Sequence, residues 1–394
     1  MIRVLLLAVL WSTGFCAAQA STLESEKSRL EAEAIETVAA ELGLRLSAEP
    51  AREMAGWSEP KKIVLRQLPG WDLAGFEAVA PGVEIIMVNN EEAALAHMEG
   101  AQALVGFCSE TLLAPAKELH WVQLFSSGVE YCVSNPRMQD GKRVLTNGQK
   151  LASPALGDHA IALMLALARG IDLYHANQLK GEWKRNVGLE SGDVMELDGR
   201  TVLVVGLGGI GMRAAKKAHG LGMRVIATRG SRREGPDYVE YVGLADEVNA
   251  LASQADVVIN TVPLTGQTRG MFDAAFFKAM KPTAFFITVG RGASTDTDAL
   301  VAALQAGEIA GAGLDVTDPE PLPEGHPLWT LPRVLITPHT AARSDRARQR
   351  LMLLVRENLR RYVAGEALYS IVDIGGIELF VNQCQQNQDF FLKE

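Results

Sequence analysis

Residues Thr201 to Gly211 read Thr-Val-Leu-Val-Val-Gly-Leu-Gly-Gly-Ile-Gly. The first five, Thr201 to Val205, are apolar or β-branched and carry no charge, which suits a parallel strand buried on both faces. Gly206, Gly208 and Gly211 follow at G-x-G-x-x-G spacing, with Gly209 and Ile210 between them. Met212–Leu221 then shows a helical pattern, and Gly222 ends it. Strand, glycine turn and helix come in the order that a dinucleotide-binding turn requires. The first glycine permits the tight turn, the second lets backbone approach a pyrophosphate, and the third lets helix pack on strand. The helix N-terminus offers free N–H groups and a partial positive charge to the phosphates.

Working outward from this turn, Val225–Thr228, Val257–Val262, Ala284–Val289, Gly313–Val316 and Val334–Thr337 read as further strands, and Ala299–Ala306 as a helix. Ser153-Pro154 opens a helix over Ala155–Arg169 that is apolar enough to be buried between domains. In it, Asp158 reads as a cap and His159 as a packing histidine. Residues 153–340 therefore form a full Rossmann domain. Upstream, Ile63–Leu68, Val83–Val88, Ala103–Cys108 and Trp121–Phe125 read as strands that alternate with helices over Leu73–Val79, Glu91–Met98 and Leu112–Glu118. Such alternation means parallel βαβ units with right-handed crossovers. Residues 61–152 thus make the first part of a second α/β domain without its own glycine motif. Ser126-Ser127-Gly128-Val129 follows its fourth strand directly. Loops in that place bind ligands, and backbone N–H groups at Ser127 and Gly128 can meet a carboxylate. Downstream, Ser344–Ala364 is a long helix within residues 341–373. Its Leu351, Leu354, Leu359 and Val363 mark a packed face despite several arginines.

The ends of the chain differ in character. Met1-Ile2-Arg3 carries one positive charge, Val4–Trp11 is apolar, and Ala18-Gln19-Ala20 fits a cleavage site before Ser21. This is the layout of a secretory signal peptide over residues 1–20, and it predicts an exported protein, periplasmic or secreted. The alternative is an inactive leader and a cytoplasmic protein. No twin arginine is present, which favours the general secretory route. Residues 21–60 read as an extension, with a helix over Leu23–Leu42 and a linker over Pro50–Pro60. Residues 374–394 are a polar tail. Past the leader the cysteines are Cys108, Cys132 and Cys384. An odd count without C-x-x-C spacing speaks against a disulfide framework or a zinc site. Cys108 reads as a small buried hydrophobe, with one bridge still open as an alternative. The chain has 394 residues, 48% hydrophobic and 22% charged, with a net charge of −9. Those figures fit a soluble globular protein and disfavour nucleic acid or an anionic membrane as partner.

Three strand ends in the Rossmann half carry polar groups. Arg291 stands between Gly290 and Gly292. Asp315 to Pro321 places Asp318 and Glu320 after a second strand. His339 follows Pro338 after a third. Arginine binds a carboxylate through two parallel bonds. Histidine titrates near neutrality and shuttles protons. A carboxylate beside it orients it and favours its protonated form. Together these functions and a nicotinamide suffice to reduce a 2-oxo acid. The strand Val225–Thr228 leads into Arg229-Gly230-Ser231-Arg232-Arg233, with no acid before Glu234. An NAD-specific turn carries an acid here for the ribose 2′-hydroxyl. Arg229, Ser231 and Arg232 instead predict a preference for NADP(H), with NAD(H) as the other possibility.

With Gly206–Gly211, Val289-Gly290-Arg291-Gly292, Gly311–Val316, Glu320-Pro321-Leu322-Pro323 and Thr337-Pro338-His339 in this order, residues 61–373 resemble the D-isomer-specific 2-hydroxyacid dehydrogenase family, in particular its glyoxylate/hydroxypyruvate reductases. The resemblance implies two parallel-sheet α/β domains, the cofactor domain inserted into a flavodoxin-like substrate domain. It implies Arg291, Glu320 and His339 as the catalytic set. Ser127-Gly128 and Arg291 become the substrate contacts, and Pro263 and Asp315 the contacts to nicotinamide. It also implies a homodimer acting on a small 2-oxo or 2-hydroxy acid. Thr288 stands where the family often has asparagine. A nonenzymatic dinucleotide sensor of the same fold is the alternative function.

Overall fold

The computed structural model describes residues 33–71, 73–186 and 194–374. The leader, the first part of the Leu23–Leu42 helix and the tail from residue 375 lie outside them. The chain divides into two compact units. Unit 1 comprises Met1–Leu151 with Asp345–Glu394, and unit 2 comprises Ala152–Ser344.

Unit 1 begins with α1 (residues 33–42). It continues through β1 (Lys62–Arg66), α2 (Leu73–Glu77), β2 (Glu84–Val88), α3 (Glu91–Leu95), β3 (Ala103–Val105), α4 (Glu110–Leu113), β4 (Trp121–Gln123), α5 (Glu130–Val133) and β5 (Val144–Thr146). All five strands are parallel, in the order β2-β1-β3-β4-β5. That is the flavodoxin-like order. Successive strand residues face opposite sides, so Val64, Leu104 and Val122 enter one core and Ile63, Leu65, Val105 and Trp121 the other. The segment expected as a linker is tied down. Ala51 is fully buried, and its N–H donates to the carbonyl of Glu366.

Cys108 is buried, but it is bonded to Cys132 of α5, with 5.4 Å between the Cα atoms. This corrects the reading of Cys108 as a free, packed thiol. The four-residue α5 is too short to show a helical period, so nothing in the sequence placed Cys132 opposite the end of β3.

Unit 2 opens with α6 (Ser153–Ala168) and α7 (Ile171–Leu179). It then runs β6 (Thr201–Val205), α8 (Gly209–Gly220), β7 (Arg224–Thr228), β8 (Tyr241–Gly243), α9 (Val248–Ala252), β9 (Val257–Asn260), α10 (Ala274–Ala279), β10 (Phe285–Thr288), α11 (Thr297–Ala306), β11 (Gly311–Leu314) and β12 (Val334–Ile336). The seven parallel strands are ordered β12-β11-β10-β9-β6-β7-β8. The order reverses between β6 and β9, which is where open α/β sheets form a ligand crevice. β6 is buried at all five residues. Ala160, Leu163, Met164 and Leu167 of α6 join the same core as Val202, Val204 and Ala214. These buried residues of α6 thus pack within the core of unit 2. Asp158 caps nothing; it is exposed and lies 3.4 Å from Lys217.

The chain then returns to unit 1 through α12 (Asp345–Val363), whose Val355, Leu359 and Tyr362 are fully buried against the sheet face that carries Ile63 and Trp121. No helix among the described residues is long and apolar enough to cross a membrane.

Candidate active site

The glycine turn after β6 is shaped as its sequence requires. Gly206 has φ +93°, and a Cβ there would come within 3.2 Å of the Thr261 and Val262 backbone. A Cβ on Gly211 would strike the Gly206 carbonyl, while one on Gly208 would meet nothing within 4 Å. Only Gly208 leaves room for an approaching group. The turn is held from both sides. The N–H groups of Gly206 and Leu207 donate to the carbonyl of Thr228 on β7, and Thr261 Oγ1 donates to Gly206 O at 2.6 Å. Gly209, Ile210 and Gly211 form the first turn of α8. Pro263 is exposed just past β9, where its carbonyl accepts from Thr268 Oγ1.

Arg229 follows β7, half-buried, with its Nε atom buried and without a hydrogen-bond partner. Burial pulls its pKa down, and Arg232 adds to the effect. Ser231 and Arg232 are exposed beside it. Arg233 is already engaged, at 2.7 Å from Glu247.

The three acid–base candidates sit on the ends of neighbouring strands. Arg291 comes three residues after β10, and its Nη1 donates to Gly290 O at 3.0 Å. It lies between glycines because neither neighbour has space for a side chain. A Cβ at Gly290 would meet the Val262 carbonyl at 2.8 Å, and one at Gly292 would meet the carbonyl of Thr317. Thr288 accepts a bond from Asn260 Nδ2 at 3.0 Å. Glu320 lies in the loop after β11, and its Oε1 is 2.5 Å from His339 Nδ1. His339 has φ +49°, and its N–H donates to Asp315 O at 2.8 Å. Both side chains are partly open to solvent. With Nδ1 facing Glu320, Nε2 is the nitrogen left for another group.

Asp315 has a clear local task. It is 2% exposed, and its carboxylate accepts from Thr337 Oγ1 (2.6 Å), Thr340 N (2.9 Å) and Ala341 N (3.0 Å). It pins the loop that carries His339. Thr337 has one hydroxyl hydrogen and gives it to Asp315, so the 2.8 Å contact with His159 Nε2 makes that nitrogen the donor. His159 is thus a satisfied histidine that braces Asp315. Sequence reasoning missed this brace, because Thr337 is 178 positions from His159.

Ser127 and Gly128 belong to unit 1. Ser127 Oγ donates to Gly148 O, and Ser127 O accepts from Asn147 Nδ2 at 2.8 Å. Among the described residues the N–H groups of Ser127 and Gly128 meet no acceptor. No cluster of three or more metal-ligating side chains occurs among the described residues.

A phosphate-type turn at the sheet's switch point, with an arginine and a glutamate–histidine pair on the same edge, defines a dinucleotide-dependent oxidoreductase. Residues 161–341 match the family described as D-isomer specific 2-hydroxyacid dehydrogenase, NAD binding domain. The glyoxylate reductase of Pyrococcus furiosus is 33% identical over 331 residues, covering 80% of this chain and 96% of that protein. Among solved structures, the NADPH-dependent glyoxylate/hydroxypyruvate reductase of Sinorhizobium meliloti aligns with TM-score 0.66 and 29% identity, covering 80% of this chain and 98% of that one. A family protein from Aeromonas salmonicida aligns at 0.68 and 28%, covering 80% and 100%. The chain belongs to the D-isomer-specific 2-hydroxyacid dehydrogenase family. It is therefore an NAD(P)-dependent oxidoreductase acting on the CH–OH group of 2-hydroxy acids.

Proposed function

We propose that this enzyme reduces a small 2-oxo acid of the glyoxylate or hydroxypyruvate type to its 2-hydroxy acid, with His339 as acid and base. The observation that carries this reading is the His339–Glu320 contact on a loop fixed by Asp315. Glu320 holds the imidazole through Nδ1, and Nε2 gives the proton to the carbonyl oxygen. Within unit 2, Arg291 grips the substrate from the neighbouring strand end; within unit 1, the N–H groups of Ser127 and Gly128 are suited to a carboxylate. The glycine turn and the unpartnered Arg229 Nε fit a bound dinucleotide, held by Gly206, Gly208–Gly211, Pro263 and the Arg229–Arg232 turn. A nicotinamide supplies the hydride when bound. The names of the Pyrococcus and Sinorhizobium relatives support the choice of substrate, and the latter supports NADPH. A spectrophotometric screen of 2-oxo acids with NADPH and NADH tests it. No turnover of any of them would overturn it.

We further propose a homodimer that covers α7. This helix buries no residue of its own, and Leu179 and Trp183 are 76% and 92% exposed. A large exposed apolar patch marks an interaction surface. The wild type is expected to sediment as a dimer and the Leu179→Ser, Trp183→Ala double variant as a monomer. A wild-type monomer at micromolar concentration would refute this.

Export with a mature N-terminus at Ser21 is also proposed. The charged, apolar, Ala-Gln-Ala order supports it, and so does the Cys108–Cys132 bridge, since such bridges persist in oxidising compartments. N-terminal sequencing from the native host should find Ser21, and an intact Met1 would reject it. A bridge with a sequence separation of 24 is worth about 3 kcal/mol in the chain-entropy account. Reductant is accordingly expected to lower the urea midpoint of the wild type but not of the Cys108→Ala, Cys132→Ala variant. Equal midpoints with and without reductant in the wild type would show that the bridge does not form.

A further inference from the structure

Unit 1 holds a cation that the reading above does not use. Arg66 ends β1, and in the sheet only β3 separates β1 from β4, the strand that leads into Ser127 and Gly128. Neighbouring strands lie about 4.8 Å apart, so the two strand ends are about 10 Å apart. An arginine side chain plus a short dicarboxylate is of that order of length, and Ser127 and Gly128 lie four and five residues past the last residue of β4, Gln123. Arg66 is exposed, with its guanidinium carbon 5.2 Å from the centroid of the Phe107 ring. The Phe125 ring and the Cβ of Arg66 both crowd against Gly106. Gly106, at φ +88°, makes this possible, because a Cβ there would come within 2.6 Å of the Phe125 ring and 2.7 Å of Arg66 Cβ. The guanidinium's charge also acts on the hydroxyl of Tyr131, which lies beside Ser126 at the head of the loop. Glu91 and Glu130 are the acids whose charges reach the same hydroxyl. Among the described residues, no carboxylate lies within ion-pair distance of Arg66. The edge that offers two amide N–H groups without acceptors therefore also offers a guanidinium without an anion, seated over the Phe107 ring.

We propose that Arg66 is a specificity residue that selects 2-oxo acids with a second carboxylate at the far end of a four- or five-carbon chain. Their first carboxylate meets Ser127 and Gly128, and the distal one meets Arg66. This deepens the function proposed above and rests on it.

The test compares pairs that differ only at the far end: 2-oxobutanedioate against 2-oxobutanoate, and 2-oxopentanedioate against 2-oxopentanoate. The quantity read is the ratio of kcat/KM within each pair for the wild type, Arg66→Met and Arg66→Lys. A hydrogen bond to a charged group is worth roughly 1.5–3 kcal/mol, or about ten- to a hundredfold. The wild type should favour the dicarboxylate by that factor in at least one pair. Arg66→Met should abolish the preference, and Arg66→Lys should keep part of it. The ratio is internal to each variant, so a partly damaged protein still reports it. A wild-type ratio near one overturns the proposal. So does an Arg66→Met variant that loses both members of a pair equally, since Arg66 would then serve only the shared carboxylate or the loop. Turnover of monocarboxylic acids without a dicarboxylate preference sinks this inference alone. No turnover of any 2-oxo acid sinks the parent reading with it.

Discussion

His339→Ala is expected to lower kcat by about 10²–10⁴-fold, the usual worth of a positioned general acid. The loop that carries His339 is held by backbone bonds to Asp315 that do not involve the imidazole. Removing the ring therefore removes the proposed proton donor without releasing the loop. The residues proposed to hold the dinucleotide lie on other strand ends, around Gly206 and Arg229, so cofactor affinity should hardly change. Single-turnover kinetics and a dinucleotide titration together check both halves. Near-normal turnover in the variant would end the assignment. Arg291→Lys should also fail, because an ammonium cannot reproduce a two-point grip on a carboxylate.

The second large effect concerns the cofactor. Wild-type kcat/KM should be higher with NADPH than with NADH, and Arg229→Ala should cost roughly ten- to a hundredfold with NADPH, the worth of one hydrogen bond to a charged group. Arg229 is suited to this because its Nε is buried without an acceptor, and partial burial with Arg232 nearby lowers its pKa. A 2′-phosphate would supply the missing anion. Arg233 is not a substitute, since Glu247 and Tyr241 already occupy it. Loss with NADH should be much smaller. A wild type that prefers NADH, or a variant with undiminished NADPH use, would show that this turn does not read the phosphate.

Long apolar strands made the fold readable. β6, β9 and β10 each bury every residue and end in glycine, proline or a polar motif, so both the strand and what it presents stand out in one dimension. The strand-end residues Arg291, Glu320 and His339 were legible for the same reason. Three-residue β5 and β8 and four-residue α5 were not, because polar and glycine or proline residues flank each of them and break up any apolar run. The Cys108–Cys132 bridge depended on one of those hidden elements. The bracing of Asp315 by Thr337 and His159 was hidden differently. Each residue has an ordinary local reading, and only the folded sheet makes them neighbours. Arg66 fell inside the strand read over Ile63–Leu68, where nothing marked it until the room made by Gly106 was known.

Unit 1 is built from both ends of the chain, and this has a consequence for biosynthesis. Trp57 Nε1 donates to the carbonyl of Tyr362 across 305 positions, and Tyr362 fills the core beside Ile63 and Trp121. The ribosome must have made almost the whole chain before that sheet face can be covered. The entropy of so long a loop is a small obstacle, since each doubling costs only about 0.6 kcal/mol. The delay is in time: an apolar face stays open while unit 2, contiguous in sequence, completes itself. Such a nascent chain depends on holding chaperones.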